Sequence, residues 1–119
     1  MAEVNLIVKE TLNITCMKND TFKLDMDWTD SDDAAIDLTA YTFKAEVRRS
    51  PINKTSVISF SDSDFTKDAN GNLLMKKAAS AMNVASGIYY YDLQATHTSS
   101  GDVSTWLGGT LEVKEDVTE

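Results

Sequence analysis

The chain has 119 residues, 42% of them hydrophobic and 25% charged, with a net charge of −8. That length supports one domain around one core, and the apolar content is too high for a disordered chain. The acid excess argues against a nucleic-acid partner, because phosphate binding needs clustered Lys and Arg, and the densest basic run here is Arg48-Arg49. No run approaches the ~20 apolar residues of a membrane-spanning helix.

The N-terminus, Met1-Ala2-Glu3-Val4-Asn5, lacks the basic and apolar regions of a signal peptide, so the expected site of synthesis is a cytosol. In chain order, Ala2 to Glu10 alternates only partly and reads as a docking arm, with Val4, Leu6 and Val8 as contact residues. Leu12 to Cys16 reads as a short strand that could pair at a sheet edge. Cys16 is the only cysteine, so an intrachain disulfide is excluded, and it reads as a small core residue.

Period-two alternation then dominates. Phe22, Leu24, Met26 and Trp28 alternate with Lys23, Asp25 and Asp27, the pattern of a half-buried strand. Tyr41, Phe43, Ala45 and Val47 repeat it, as do Tyr89, Tyr91, Leu93 and Ala95, and then Leu107, Gly109, Leu111 and Val113. Ser56 to Phe60 and Leu73 to Lys76 are shorter strands. Turns fall at Asp30 to Asp33, at Asp68 to Asn72 and at Ser99 to Asp102; Asn70-Gly71 tolerates the positive φ of a tight hairpin. Lys77 to Ala85 is rich in helix formers and reads as one or two helical turns crossing between strands. Residues 115–119 form a polar tail. The whole predicts an all-β, immunoglobulin-like, two-sheet antiparallel sandwich of about seven to eight strands with a short helical crossover, one domain over residues 1–119.

Chemistry-bearing groups are sparse. Asp25, Asp27, Asp30, Asp32 and Asp33 are dense enough to suggest Ca²⁺, but no Gly and no later bidentate Glu follow at loop spacing, so they read as a solvated face and a turn. Asp68, Asn70 and Asn72 have ligand-like spacing, and Gly71 reads as a hairpin tip. His97 is the only histidine and lacks a nucleophile motif; one His and one Cys cannot complete a zinc site. No metal, no cofactor and no enzymatic activity are therefore expected. Gly108-Gly109, inside a strand pattern, predicts a bulge or a close backbone approach. The Asn-x-Thr sequons at Asn13, Asn19 and Asn53 read as chance without a secretion signal. Strand parity sends most large aromatics to the core. It leaves Tyr90 and Trp106 as exposed contact candidates, for a partner protein or for stacking on a sugar.

The order Asn19-Asp20-Thr21-Phe22, Trp28-Thr29-Asp30, Ile36-Asp37-Leu38-Thr39-Ala40-Tyr41-Thr42, Val47-Arg48, Gly87 to Gln94 and Gly109 to Val113 resembles small virion proteins of tailed bacteriophages. It is similar to the N-terminal domain of upper baseplate proteins and to immunoglobulin-like modules on phage heads and tails. The likeness spans roughly Thr21 to Thr118 and rests on Asp-Leu-Thr-x-Tyr (Asp37 to Tyr41) and Tyr-x-Tyr-Asp-Leu (Tyr89 to Leu93). Asn19 and Ala40 stand where the family often has Gly. The resemblance implies a virion structural protein, assembled in the host cytoplasm and present in many symmetric copies. It implies docking on other virion proteins as a capsid decoration, cement or adaptor subunit, since no receptor-facing appendage follows the sandwich. The alternatives are a tail or baseplate component, or a module that binds host-surface carbohydrate. An acidic skin meeting a basic partner would make attachment sensitive to salt.

Overall fold

The computed structural model describes residues 10–115, apart from 31, 51, 53 and 54. Nine strands are found among them: β1 (Glu10–Thr11), β2 (Ile14–Met17), β3 (Phe22–Asp27), β4 (Tyr41–Arg48), β5 (Ser56–Phe60), β6 (Phe65–Lys67), β7 (Asn72–Lys77), β8 (Gly87–His97) and β9 (Val103–Lys114). They form an all-β sandwich of two sheets. The larger has the order β1-β9-β8-β4-β5, with β2 also on β9, and the smaller has the order β3-β7-β6.

The alternation is what puts a core between them. In β4 the residues Tyr41, Phe43, Ala45 and Val47 are buried and their neighbours are not; β8 repeats this with Tyr89, Tyr91, Leu93 and Ala95. From the smaller sheet Phe22, Phe65, Leu73 and Met75 close over them. Trp28 and Ile36, in the long connection before β4, plug one end, and Met82 plugs the connection from β7 to β8.

Two expectations need correction. The sandwich is not wholly antiparallel: β1 and β2 run parallel to β9. Parallel neighbours need a long connection between them, and here the rest of the sandwich is that connection. The helical crossover is also absent as a helix, since Ala79–Met82 makes a single 3-10 turn. Helix nucleation is costly over so few residues, and Ala78 at the N-cap offers no capping side chain. Asn19 N–H donates to Met82 O at 3.1 Å instead, which pins the turn over the core.

The turns follow their chemistry. Asp68 carboxylate accepts from the N–H groups of Asn70 and Asn72 and from the Asn72 amide, which closes the β6–β7 hairpin, with Gly71 at φ +82°. These bonds, from the Asn72 side chain first, hold the Asp68 carboxyl below its usual pKa. Asp30 Oδ1 accepts from Asp32 and Ala34 N–H and so organises its own turn. Asn19 sits at φ +69°, a left-handed position that Asn tolerates.

Candidate docking face

The outer face of the larger sheet is built from the polar phase of the same alternation. Cross-strand register places its side chains in rows. Arg48, Tyr90 and Thr110 stand abreast on β4, β8 and β9, and Glu46, Asp92 and Gly108 form the next row. Ile88 continues the β8 column beyond Tyr90, beside Glu112. A groove of about 420 Å³ lies along the first two rows, lined by Thr11, Arg48, Tyr90, Asp92, Gly109 and Thr110 among others.

Glycine and one asparagine shape this groove. Gly108, opposite Asp92, carries no side chain and is itself buried. Gly109 has φ +151°, and a Cβ there would collide with the Leu12 carbonyl, so only glycine lets the first strands approach β9 this closely. Leu12 N–H donates to Gly108 O at 2.9 Å, and Asn13 Oδ1 accepts from Thr110 N–H at 3.2 Å. From beneath, Tyr91 hydroxyl donates to Leu12 O at 2.6 Å. Burial pushes the Tyr91 phenol up to about 12.

The charges on the face are mixed. Arg48 guanidinium pairs with Glu46, and Lys44 Nζ lies 3.8 Å from the same carboxylate. Asp92 stands directly opposite Glu46, a like-charge pair across two strands. Among the described residues, three of the five most exposed large apolar side chains lie on this face: Ile88 at 60%, Val103 at 59% and Tyr90 at 39%.

Trp106 is not on it. The sequence reading placed Trp106 on the surface beside Tyr90, and this is corrected: its exposure is 0%. Leu93 pairs with Leu107 and Gln94 with Thr105, so Trp106 is the extra residue of a β-bulge on β9. One inserted residue reverses the parity, and both Trp106 and Leu107 turn inward. The indole ring lies 5.1 Å from those of Trp28 and Tyr41 and 5.6 Å from that of Phe43. A sugar platform of Tyr90 and Trp106 is thereby lost. Val4, Leu6 and Val8, the arm contacts read from the sequence, lie outside the described residues, as does most of the polar tail.

The remaining reactive groups are dispersed. His97 stacks edge-on to Tyr41 at 5.0 Å, and its Nδ1 is 3.0 Å from Ser99 Oγ. Cys16, half-buried on β2, has its thiol pKa raised by burial and then by Asp20. Asp64 is pushed up by burial, but hydrogen bonds from Lys77 and Ser61, with the Lys77 charge, bring it below its usual value. No group of three or more His, Cys, Asp or Glu side chains converges as a metal cage among the described residues. No helix among them is long and apolar enough to cross a membrane.

One end of the sandwich is acidic. Loops 28–40, 68–71 and 98–102 touch through Trp28 N–H to Gly71 O, Leu38 N–H to Asp68 O and Thr98 N–H to Ala40 O, at 2.8 to 3.0 Å. They carry Asp30, Asp32, Asp33, Asp37, Asp68 and Asp102 and no Lys or Arg.

No protein-family model matches the chain, and no curated protein matches it. Among solved structures it is similar to the NK cell receptor Nkp44, a triggering partner in natural cytotoxicity, at 13% identity and TM-score 0.42, over 90% of this chain and 99% of that one. It is also similar to a family 123 glycoside hydrolase from Clostridium perfringens, at 13% identity and TM-score 0.38, over 92% of this chain and 24% of that one.

Proposed function

We propose that this chain is an immunoglobulin-like virion structural subunit of a tailed phage, working in many copies by docking through the outer face of its larger sheet. The immunoglobulin assignment is supported by strand order: β4, β8 and β9 with β5 correspond to the C, F, G and C′ strands, and β3, β7 and β6 to B, E and D. Tyr89 hydroxyl bonds back to Ala85 O at 2.5 Å at the start of β8, in the manner of the tyrosine corner of that fold. The first strands depart from the constant-type arrangement by joining β9 in the larger sheet.

The observation that carries the docking reading is the exposure of Ile88, Tyr90 and Val103 on one sheet face. Ile88 and Tyr90 are successive outward positions on β8 with Glu112 and Arg48 beside them, and Val103 lies farther along the same face opposite Thr96; exposed apolar side chains among charged neighbours suit a protein interface. The phage setting, on head or tail, follows the family resemblance and the strand pattern that carries it. Neither nucleic acid nor membrane is a partner in this reading.

The test is incorporation. A double variant, Ile88→Ser with Tyr90→Ala, produced in the host in place of the native chain, should fall at least tenfold in copies per purified particle while remaining folded in solution. Native copy number with the double variant would end the assignment of this face to docking.

A further inference from the structure

The two central rows of the outer face are complementary to each other. The row of Arg48 and Tyr90 offers a guanidinium and a phenol hydroxyl. The row of Glu46 and Asp92 offers two carboxylates. A two-fold axis lying in the plane of the face, across the strands and between the rows, superposes each row on the other.

We propose that the occupant of this face is a second copy of the chain, related by that two-fold. Arg48 of each copy then meets Glu46 of its partner, and Tyr90 hydroxyl donates to Asp92. Such an interface is isologous and closes at two copies. It also relieves the like-charge pair of Glu46 and Asp92: Asp92 gains the Tyr90 hydroxyl, and Glu46, already paired with Arg48 of its own copy, gains a second guanidinium. Charge does not oppose it. The outward charged residues of β4, β8 and β9 are Lys44, Arg48 and Lys114 against Glu46, Asp92 and Glu112, a balanced set on a chain of net charge −8. The acidic loops contribute none of them.

The area is within the range a stable pair needs. Five strands abreast at ~4.8 Å spacing and up to 12 residues long give a plan of ~700 Å² per copy. A standard stable interface uses ~600–1,000 Å² per partner. After the two-fold the central β8 strands of the two copies run antiparallel, which lets facing sheets pack in the aligned manner. This proposal rests on the docking face assigned above and names what covers it.

Charge reversal tests it, read by sedimentation equilibrium on the full chain. The native chain should be dimeric at micromolar concentration. Arg48→Glu alone and Glu46→Arg alone should each weaken the dimer more than tenfold, because like charges then meet across the two-fold. The double exchange, Glu46→Arg with Arg48→Glu, should return the dimer to within about threefold of native. Circular dichroism melting on each variant separates lost association from lost folding. A native chain that stays monomeric at high micromolar concentration overturns the proposal, as do single reversals that dimerise normally or a double exchange that fails to rescue. Docking in the particle would survive any of those results, because incorporation is measured separately.

Discussion

Trp106 and Tyr90 show how much one inserted residue decides. Both are large aromatics on long strands, yet one is sealed among three other rings and the other is 39% exposed. Counting by twos along β9 from Val113 back to Leu107 is correct, and it fails only at the next residue. Nothing in the alternation marks the bulge except that Trp106 and Leu107 are adjacent and both large. That adjacency was the available signal, because a half-buried strand rarely spends two such residues in succession without a shift of phase. Truncation separates the two sites. Trp106→Ala should cost ~3–5 kcal/mol of unfolding free energy, as deletion of a buried aromatic does. Tyr90→Ala should cost less than ~1 kcal/mol, as for a surface position. Urea denaturation of both variants measures this. A near-neutral Trp106→Ala would contradict the buried assignment.

The elements themselves were largely legible. β3, β4 and β8 fall where period two places them, because both of their phases are honoured without interruption over most of their length. β6 was not read. It has three residues, follows Asp62-Ser63-Asp64, and exists because its hairpin with β7 is closed by Asp68. The parallel pairing of β1 and β2 was unreadable for a different reason: pairing at a sheet edge depends on which strand is unpaired there. The close backbone approach expected at Gly108-Gly109 occurs at Gly109, against the Leu12 carbonyl.

The edges are guarded in separate ways. β3 carries Lys23, Asp25 and Asp27 on its outer side, and β6 is short. β5 has a bulge at Val57, and its Ser59 carbonyl accepts from Lys77 Nζ at 2.7 Å. The first strands are tied down by Tyr91, whose folded pKa of about 12 exceeds its ordinary value near 10. A group with a raised folded pKa contributes stability that is fully present below the unfolded value. That contribution is lost as pH rises from about 10 through 12. Native protein should therefore lose melting temperature across that window, and Tyr91→Phe should lose less of it. Equal alkaline slopes for the two chains would remove Tyr91 from the account.

At the scale of the molecule, charge and apolar surface are segregated. Six carboxylates without a Lys or Arg sit on three loops at one end, while the large sheet face is balanced in charge and holds Ile88, Tyr90 and Val103. Composition revealed the acid excess but not its location, since the three loops are far apart in sequence and meet only through the fold. The same holds for the proposed docking face. Its rows join β4, β8 and β9, and only the register makes neighbours of Arg48, Tyr90 and Thr110. The central claim is that this face is covered in the assembled state. Hydroxyl-radical footprinting of the subunit, free at nanomolar concentration and then within purified particles, tests it directly. Strong protection of Ile88 and Tyr90 is expected in the particle, with little change at Leu74 on the opposite sheet. Protection confined to the Leu74 side, with Tyr90 as reactive as in the free chain, would contradict it.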